Sequence, residues 1–241
     1  MKLLKKIEKY VADGADKIIT PSEYLKGIIT DWGVDPAKIR VIYNGFHMET
    51  FREQKDPLRK RLGLAGTVIV SAGRLVPWKG MKELIEAFEA LLQTVPEATL
   101  VIVGDGPEME SLKSQVASRK LQDFVRFTGK LAQKDVFRHI RAADVFVLNT
   151  AYEGFSHQLL ETMALGTPII TTRIGGNPEL ITDEENGILI APNDRDAMVR
   201  SMTALISDAA QAAAFSRAGK ERVKGFGDLR MLERVAEELR S

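Results

Sequence analysis

Short apolar, β-branched runs alternate with amphipathic stretches along most of the chain. The runs at 17–20, 39–43, 68–72, 99–103, 125–128, 145–148, 168–171 and 187–190 read as strands. Val68-Ile69-Val70, Leu100-Val101-Ile102-Val103 and Val145-Phe146-Val147-Leu148 are continuous rather than alternating, which predicts strands covered on both faces. Helical spacing fills 81–93, 107–120, 134–142 and 156–165 between them, and 195–207, 208–224 and 229–240 after the last. This βαβα order predicts an α/β fold built on a doubly wound parallel sheet. No Pro/Gly-rich linker and no internal repeat divides residues 1–241, which read as one unit with extra elements at both ends.

Local signals place several helix starts. In Thr20-Pro21-Ser22-Glu23, Thr20 is expected to cap, with Pro21 at the first helical position and Glu23 at the third. Pro107 is expected at a first helical position, and Asp194 is expected to cap the helix that follows it. Leu229, Leu232, Val235 and Leu239 form one apolar stripe near the C-terminus. At the other end, Leu3, Leu4, Ile7, Tyr10 and Val11 lie opposite Lys2, Lys5, Lys6 and Lys9. Such a helix suits a membrane surface or a solvated charged face. The short length and Glu8 favour the second, so membrane contact is not expected.

Composition narrows the function classes. The 241 residues are 44% hydrophobic and 28% charged, which is ordinary for a globular chain and excludes a disordered or collagen-like one. Lys plus Arg number 34 and Asp plus Glu 33, so no global field draws the protein to nucleic acid. Any recognition of a polyanion must be local. Cysteine is absent, which excludes disulfides, thiolate metal sites and a Cys nucleophile. No apolar run reaches the ~18 residues of a membrane span, and the basic start lacks the apolar core of a secretory signal. A cytoplasmic location is expected.

Several familiar chemistries are missing. Gly104-Asp105-Gly106 runs on into Pro107-Glu108-Met109, so it is not a dinucleotide fingerprint, and neither a Walker A loop nor a His-Glu-x-x-His motif occurs. His47, His139 and His157 lack metal-ligand spacing, and no metal or cofactor is expected. Three strand-end loops remain. In Gly73-Arg74-Leu75 through Lys79-Gly80, two cations precede a helix at the end of a predicted strand, an arrangement suited to a diphosphate, although the segment taken alone favours a solvated loop with two surface cations. In Glu153-Gly154-Phe155-Ser156-His157, the amides of Phe155, Ser156 and His157 open a helix and are free to bind phosphate oxygens, and Gly154 admits close backbone approach. Glu153 and Glu161 could each accept hydrogen bonds from vicinal sugar hydroxyls, or be surface carboxylates. The third loop, Gly104-Asp105-Gly106-Pro107, reads as a tight turn or a nucleotide contact.

In joint order and spacing these segments resemble the C-terminal, nucleotide-sugar-binding half of retaining family 4 glycosyltransferases, which have a two-domain GT-B architecture with Rossmann-like halves. The resemblance also takes in Ala15-Asp16 through Glu23, Val41 through Gly45, Gly175-Gly176-Asn177-Pro178-Glu179 and Asn186-Gly187, and so spans nearly the whole chain. It implies that Arg74 and Lys79 neutralise the diphosphate leaving group and that Glu153 contacts the donor sugar. It assigns Glu161 to the ribose, the backbone near Phe155 and Ser156 to phosphate, and Gly129 and Lys130 to the base, with Gly73 and Gly154 in the binding loops. The implied donor is a UDP- or GDP-sugar.

Two departures stand out. The family's acceptor-binding N-terminal domain is not in this sequence, so an N-terminal domain or partner chain is expected to complete catalysis. His157-Gln158 also replaces the small or apolar residues often found there, which leaves the sugar open. The competing readings are a non-catalytic nucleotide-sugar-binding module and, against the spacing of Glu153 and Glu161, a nucleotide-sugar epimerase.

Overall fold

A computed structural model describes residues 2–47 and 51–240, with side chains from residue 6 onward. The continuous apolar runs become the centre of a six-stranded parallel sheet: β3 (Val68–Ala72), β4 (Thr99–Val103), β5 (Val125–Phe127), β6 (Val145–Leu148), β7 (Ile169–Thr172) and β8 (Ile188–Ile190). Every residue of β3, β6 and β7 is buried, as strands covered on both faces require. The strand order is β5-β4-β3-β6-β7-β8, so the winding reverses between β3 and β6. Ligands of open parallel sheets bind beyond the carboxyl ends of strands at such a reversal.

The expected strands do not form one sheet. Among the described residues, β1 (Ile18–Thr20) and β2 (Ile39–Val41) pair only with each other, in parallel, around α2 (Glu23–Asp31). This small unit is tied to the larger one by Glu179 of α8 (Asn177–Leu180), whose two carboxylate oxygens accept from the amides of Glu23 and Tyr24, each at 2.9 Å. The carboxylate thereby meets donors that the start of α2 leaves unpaired.

On one face of the main sheet, α4 (Met81–Leu91), α5 (Met109–Ser118) and α9 (Arg195–Ser207) surround a core containing Phe88, Leu84, Leu100 and Met202. On the other, α3 (Lys55–Leu62), α6 (Gln133–Ala142) and α7 (His157–Leu165) surround Phe146, Leu159 and Val101, and α10 (Ala209–Val223) packs against α7. Asp194 caps α9 through the amide of Ala197 at 2.9 Å, as its position predicts. Two other expected starts move. Ser22, not Thr20, caps α2, because Thr20 is the last residue of β1 and its hydroxyl donates to the Ser22 carbonyl. Pro107 lies in a turn ahead of α5, where the amide of Glu108 is drawn to the Leu75 carbonyl.

The terminal helices are α1 (Lys2–Gly14) and α11 (Asp228–Arg240). Their apolar stripes are not buried: Ile7, Tyr10 and Val11, and Leu229, Leu232 and Leu239, are all exposed. The side chains of Lys2, Leu3, Leu4 and Lys5, used above to define both faces of α1, lie outside the described residues.

Candidate functional site

The loops after β3 and β6 leave the sheet on either side of the winding reversal, and a set of buried polar contacts locks them together. Asn149, fully buried at the end of β6, donates to the Gly80 carbonyl at 2.9 Å and accepts from the Asn193 amide at 3.0 Å. The Ala151 amide and the Thr150 hydroxyl both donate to the Trp78 carbonyl. Burial makes each of these bonds costly to break, because a freed polar group would have no water to replace its partner. The result is a fixed position for Lys79, whose Nζ lies 2.8 Å from Glu153 Oε2 with both side chains largely buried.

Glu153 is held from its other side by the loop after β7. The Gly176 amide donates to the Glu153 carbonyl at 3.0 Å. Gly175 has φ +60, and a Cβ there would lie 1.8 Å from the same carbonyl oxygen, so only glycine permits this approach. At Gly154 the structure shows a packing reason for glycine. The space beside its Cα is occupied by Leu25 of α2, 3.1 Å from where a Cβ would stand. Its missing side chain therefore seats the small unit against the site.

The next residues form the start of α7. Ser156 caps it by accepting from the Leu159 amide. Among the described residues, the amides of Phe155, Ser156 and His157 have no acceptor. They are oriented donors at the positive end of a helix, as an anion requires. The Phe155 ring points away from solvent and stacks on Tyr43, centroids 5.4 Å apart, with Phe226 at 5.9 Å. Any ligand contact by Phe155 is thus a backbone contact. The Asn44 amide group and His157 Nε2 are 3.2 Å apart, so the ring of the unexpected histidine is held by the loop after β2.

A cleft of about 400 Å³ opens beside this helix start, bounded by Gly73, Arg74, Asp105, Lys130, Leu131 and Gln158. Gly104 lets its walls meet: at φ +136, a Cβ there would lie 1.9 Å from the Gly73 carbonyl oxygen. The Gly104 amide donates to the Gly129 carbonyl at 3.0 Å, placing the loop after β5, and with it Lys130, at the rim. Arg74 has no carboxylate partner among the described residues and is exposed. One turn along α7 from the amides, Glu161 accepts from Gln133 Nε2 at 2.9 Å. Burial pushes the Glu161 carboxyl above the usual carboxylate range, and the Gln133 hydrogen bond opposes that rise.

The expected site residues therefore gather at one end of the sheet: Lys79 with Glu153, the amides of Phe155 and Ser156 with α7, and Gly73, Arg74 and Lys130 in the cleft. Gly129 stands behind the cleft and Glu161 is bound to Gln133. Lys79 and Glu153 do not line the cleft itself. Sequence reasoning missed Asn149 and Gln133 and quoted Asn44 within a motif without a role; the importance of all three comes from contacts between distant segments. It quoted Gly175-Gly176 without a role, although paired glycines after a strand do signal close backbone approach. A second cavity of about 380 Å³, with Lys55, Arg59 and Asp144 in its wall, lies where the strands begin and shares no residue with this site. Among the described residues, no group of three or more His, Cys, Asp or Glu is arranged to hold a metal ion, and no helix is long and apolar enough to cross a membrane.

Comparison with known proteins gives matches over both units. Residues 54–222 match the family described as glycosyl transferases group 1, and residues 1–50 match glycosyltransferase family 4. A glycogen synthase of Mycobacterium tuberculosis is 32% identical over 90% of this chain and 52% of its own length. A GDP-mannose-dependent alpha-(1-6)-phosphatidylinositol monomannoside mannosyltransferase of Mycolicibacterium smegmatis is 30% identical over 87% of this chain and 58% of its own. The chain spans about half the length of the curated relatives it matches. Among solved structures, Anabaena HepE in complex with UDP is similar at TM-score 0.90 and 27% identity, over 98% of this chain and 66% of that one. The C-terminal domain of a glycosyl transferase group 1 protein from Francisella tularensis is similar at TM-score 0.66 and 29% identity, over 72% of this chain and 92% of that one.

Proposed function

The chain belongs to the glycosyl transferases group 1 family, and from that premise we propose that it is the donor-binding part of a retaining glycosyltransferase that uses a UDP- or GDP-sugar. The observation that carries this reading is the Lys79–Glu153 pair, 2.8 Å apart, at the winding reversal and beside the unpaired amides of α7. Arg74, Lys79 and the helix start supply positive potential for a diphosphate, and their action on a departing nucleotide would lower the barrier to transfer. On this reading Glu153 accepts from hydroxyls of the sugar and Glu161 from those of the ribose; each carboxylate can accept from two neighbouring hydroxyl groups. Gly129 and Lys130 belong, on the same reading, to the base-binding loop, with Lys130 in the cleft wall. The bases named for similar proteins differ, UDP in HepE and GDP in the mannosyltransferase, so both are carried here.

On this reading residues 1–241 form the donor domain with flanking elements, and an N-terminal domain or partner chain binds the acceptor. The match of residues 1–50 to glycosyltransferase family 4 and the exposed apolar faces of α1 and α11 support a further partner there. The test is calorimetric titration of the chain with UDP, GDP and their sugar conjugates, with and without a chelator. Saturable binding of one nucleotide that persists under chelation is expected. Strict dependence on a divalent metal, or no binding of either nucleotide, would overturn the proposal.

A further inference from the structure

Glu161 is the half-buried carboxylate of α7, and its one hydrogen-bond donor among the described residues is Gln133, the first residue of α6. Gln133 follows the loop that carries Gly129, Lys130 and Leu131, and the last two of these form a wall of the cleft. The bond therefore ties the start of α6, directly after that wall, to a carboxylate of α7, whose Gln158 lines the same cleft; Gln133 and Glu161 themselves lie outside its lining. We infer that Gln133 is a positioning residue for nucleotide recognition: its side-chain amide fixes the rotation of the Glu161 carboxylate so that the group is ready to accept from the two vicinal hydroxyls of a ribose. This rests on the proposed role of Glu161.

The chemistry follows from the number of lone pairs. A carboxylate offers about four acceptor positions on its two oxygens. Gln133 occupies one of them, on Oε1, and leaves Oε2 and the rest of Oε1 to a ligand. A glutamate without this bond must lose freedom about its terminal torsions when it binds. A glutamate already held has lost that freedom on folding, so more of its interaction with the ligand appears as affinity. The Gln133 donor also favours the ionised carboxyl against the burial that disfavours it, and the ionised group is the stronger acceptor. Gln133 need not touch the ligand for either effect.

The experiment measures the affinity of UDP or GDP, whichever the chain binds, and of its 2′,3′-dideoxy analogue, for the wild-type chain and for Gln133→Met, Gln133→Lys, Glu161→Ala and the Gln133→Met/Glu161→Ala double variant. Met keeps the length of the side chain without the donor, and Lys restores a donor. Gln133→Met is expected to weaken the ribonucleotide about two- to ten-fold. It should leave the dideoxy analogue unchanged, and add nothing in the Glu161→Ala background. Gln133→Lys should recover wild-type affinity. Equal loss for both ligands, or no loss for either, would overturn the inference. A loss that persists without Glu161 would make Gln133 a direct contact and overturn it too. If Glu161→Ala leaves the difference between the two ligands intact, the ribose assignment itself fails and the inference falls with it, a result distinct from the others.

Discussion

Lys79 and Glu153 meet at 2.8 Å across the reversal in strand order, joining the loop after β3 to the loop after β6. Each is the other's charge partner, and both are largely buried. A diphosphate entering here would compete with Glu153 for the ammonium group. Lys79→Ala should therefore weaken nucleotide binding, and Arg74→Ala should do so as well. A charge-assisted hydrogen bond contributes roughly 1.5–3 kcal/mol, so about ten-fold or more is expected for each. Calorimetry with the free nucleotide checks this. Unchanged affinity in both folded variants would return the segment to a solvated loop.

The Asn149 clamp predicts an indirect effect. Asn149→Ala removes the buried hydrogen bonds to Gly80 and Asn193 and frees the loop that carries Lys79. It should cost about 1–3 kcal/mol of folding stability and lower nucleotide affinity, although Asn149 does not line the cleft beside α7. Chemical denaturation and titration of the same variant give both numbers. A stability loss with wild-type affinity would show that Lys79 keeps its place without the clamp.

Gly175→Ala tests how Glu153 is held. The new Cβ would overlap the Glu153 carbonyl oxygen at 1.8 Å, and φ +60 is itself unfavourable for alanine. The backbone must shift, at a cost of about 1–3 kcal/mol. The sugar conjugate should lose more affinity than the free nucleotide, because Glu153 is displaced and Glu161 is not. Equal losses would place the damage in the fold as a whole.

Much of this architecture was legible in the sequence because its signals are local. The apolar runs of β3, β4 and β6 are continuous, so burial on both faces could be read directly, and alternation with helices fixed a parallel sheet. The separation of β1 and β2 was not legible. Nothing in Ile18–Thr20 states which strand it will pair with, and the contact that docks its unit, Glu179 on the amide of Glu23, spans 156 residues. The cations and Glu153 stood in strand-end loops where chemistry is expected, with Glu161 in the helix that follows. The contacts that place them did not, because Asn149 and Gln133 act through partners 69 and 28 residues distant in the chain. The stripe of α11 was legible as apolar, but periodicity does not state what covers such a face, and among the described residues Leu229, Leu232 and Leu239 stay exposed.

Two carboxylates should respond to pH with opposite signs. Asp144 is partly buried, which alone would raise its pKa, but Lys55, the Val68 amide and Arg59 together hold it below the ordinary value. Its contribution to stability is present above the unfolded-state pKa of about 3.9 and is lost as pH falls through the lower folded value. Asp144→Asn should cost about 1.5–3 kcal/mol at neutral pH, with the gap to wild type closing in acid. Glu161 is raised by burial, so its ionisation costs stability as pH rises from the unfolded value, about 4.3, through the folded one. Glu161→Gln should therefore stabilise the ligand-free chain at neutral pH while weakening nucleotide binding, the trade expected of a functional carboxylate. Thermal unfolding across pH checks both. A Glu161→Gln variant less stable than wild type at neutral pH would assign Glu161 to the fold.

The most direct test of the account is one calorimetric set of four affinities: Glu153→Ala and Glu161→Ala, each with the free nucleotide and with its sugar conjugate. A carboxylate contributes only where hydroxyls are present to donate to it. Glu161→Ala should weaken both ligands about equally. Glu153→Ala should weaken the sugar conjugate and spare the free nucleotide. Equal losses in all four would mean that the substitutions act through the fold or a general field, and would contradict the division of the site into a ribose carboxylate and a sugar carboxylate.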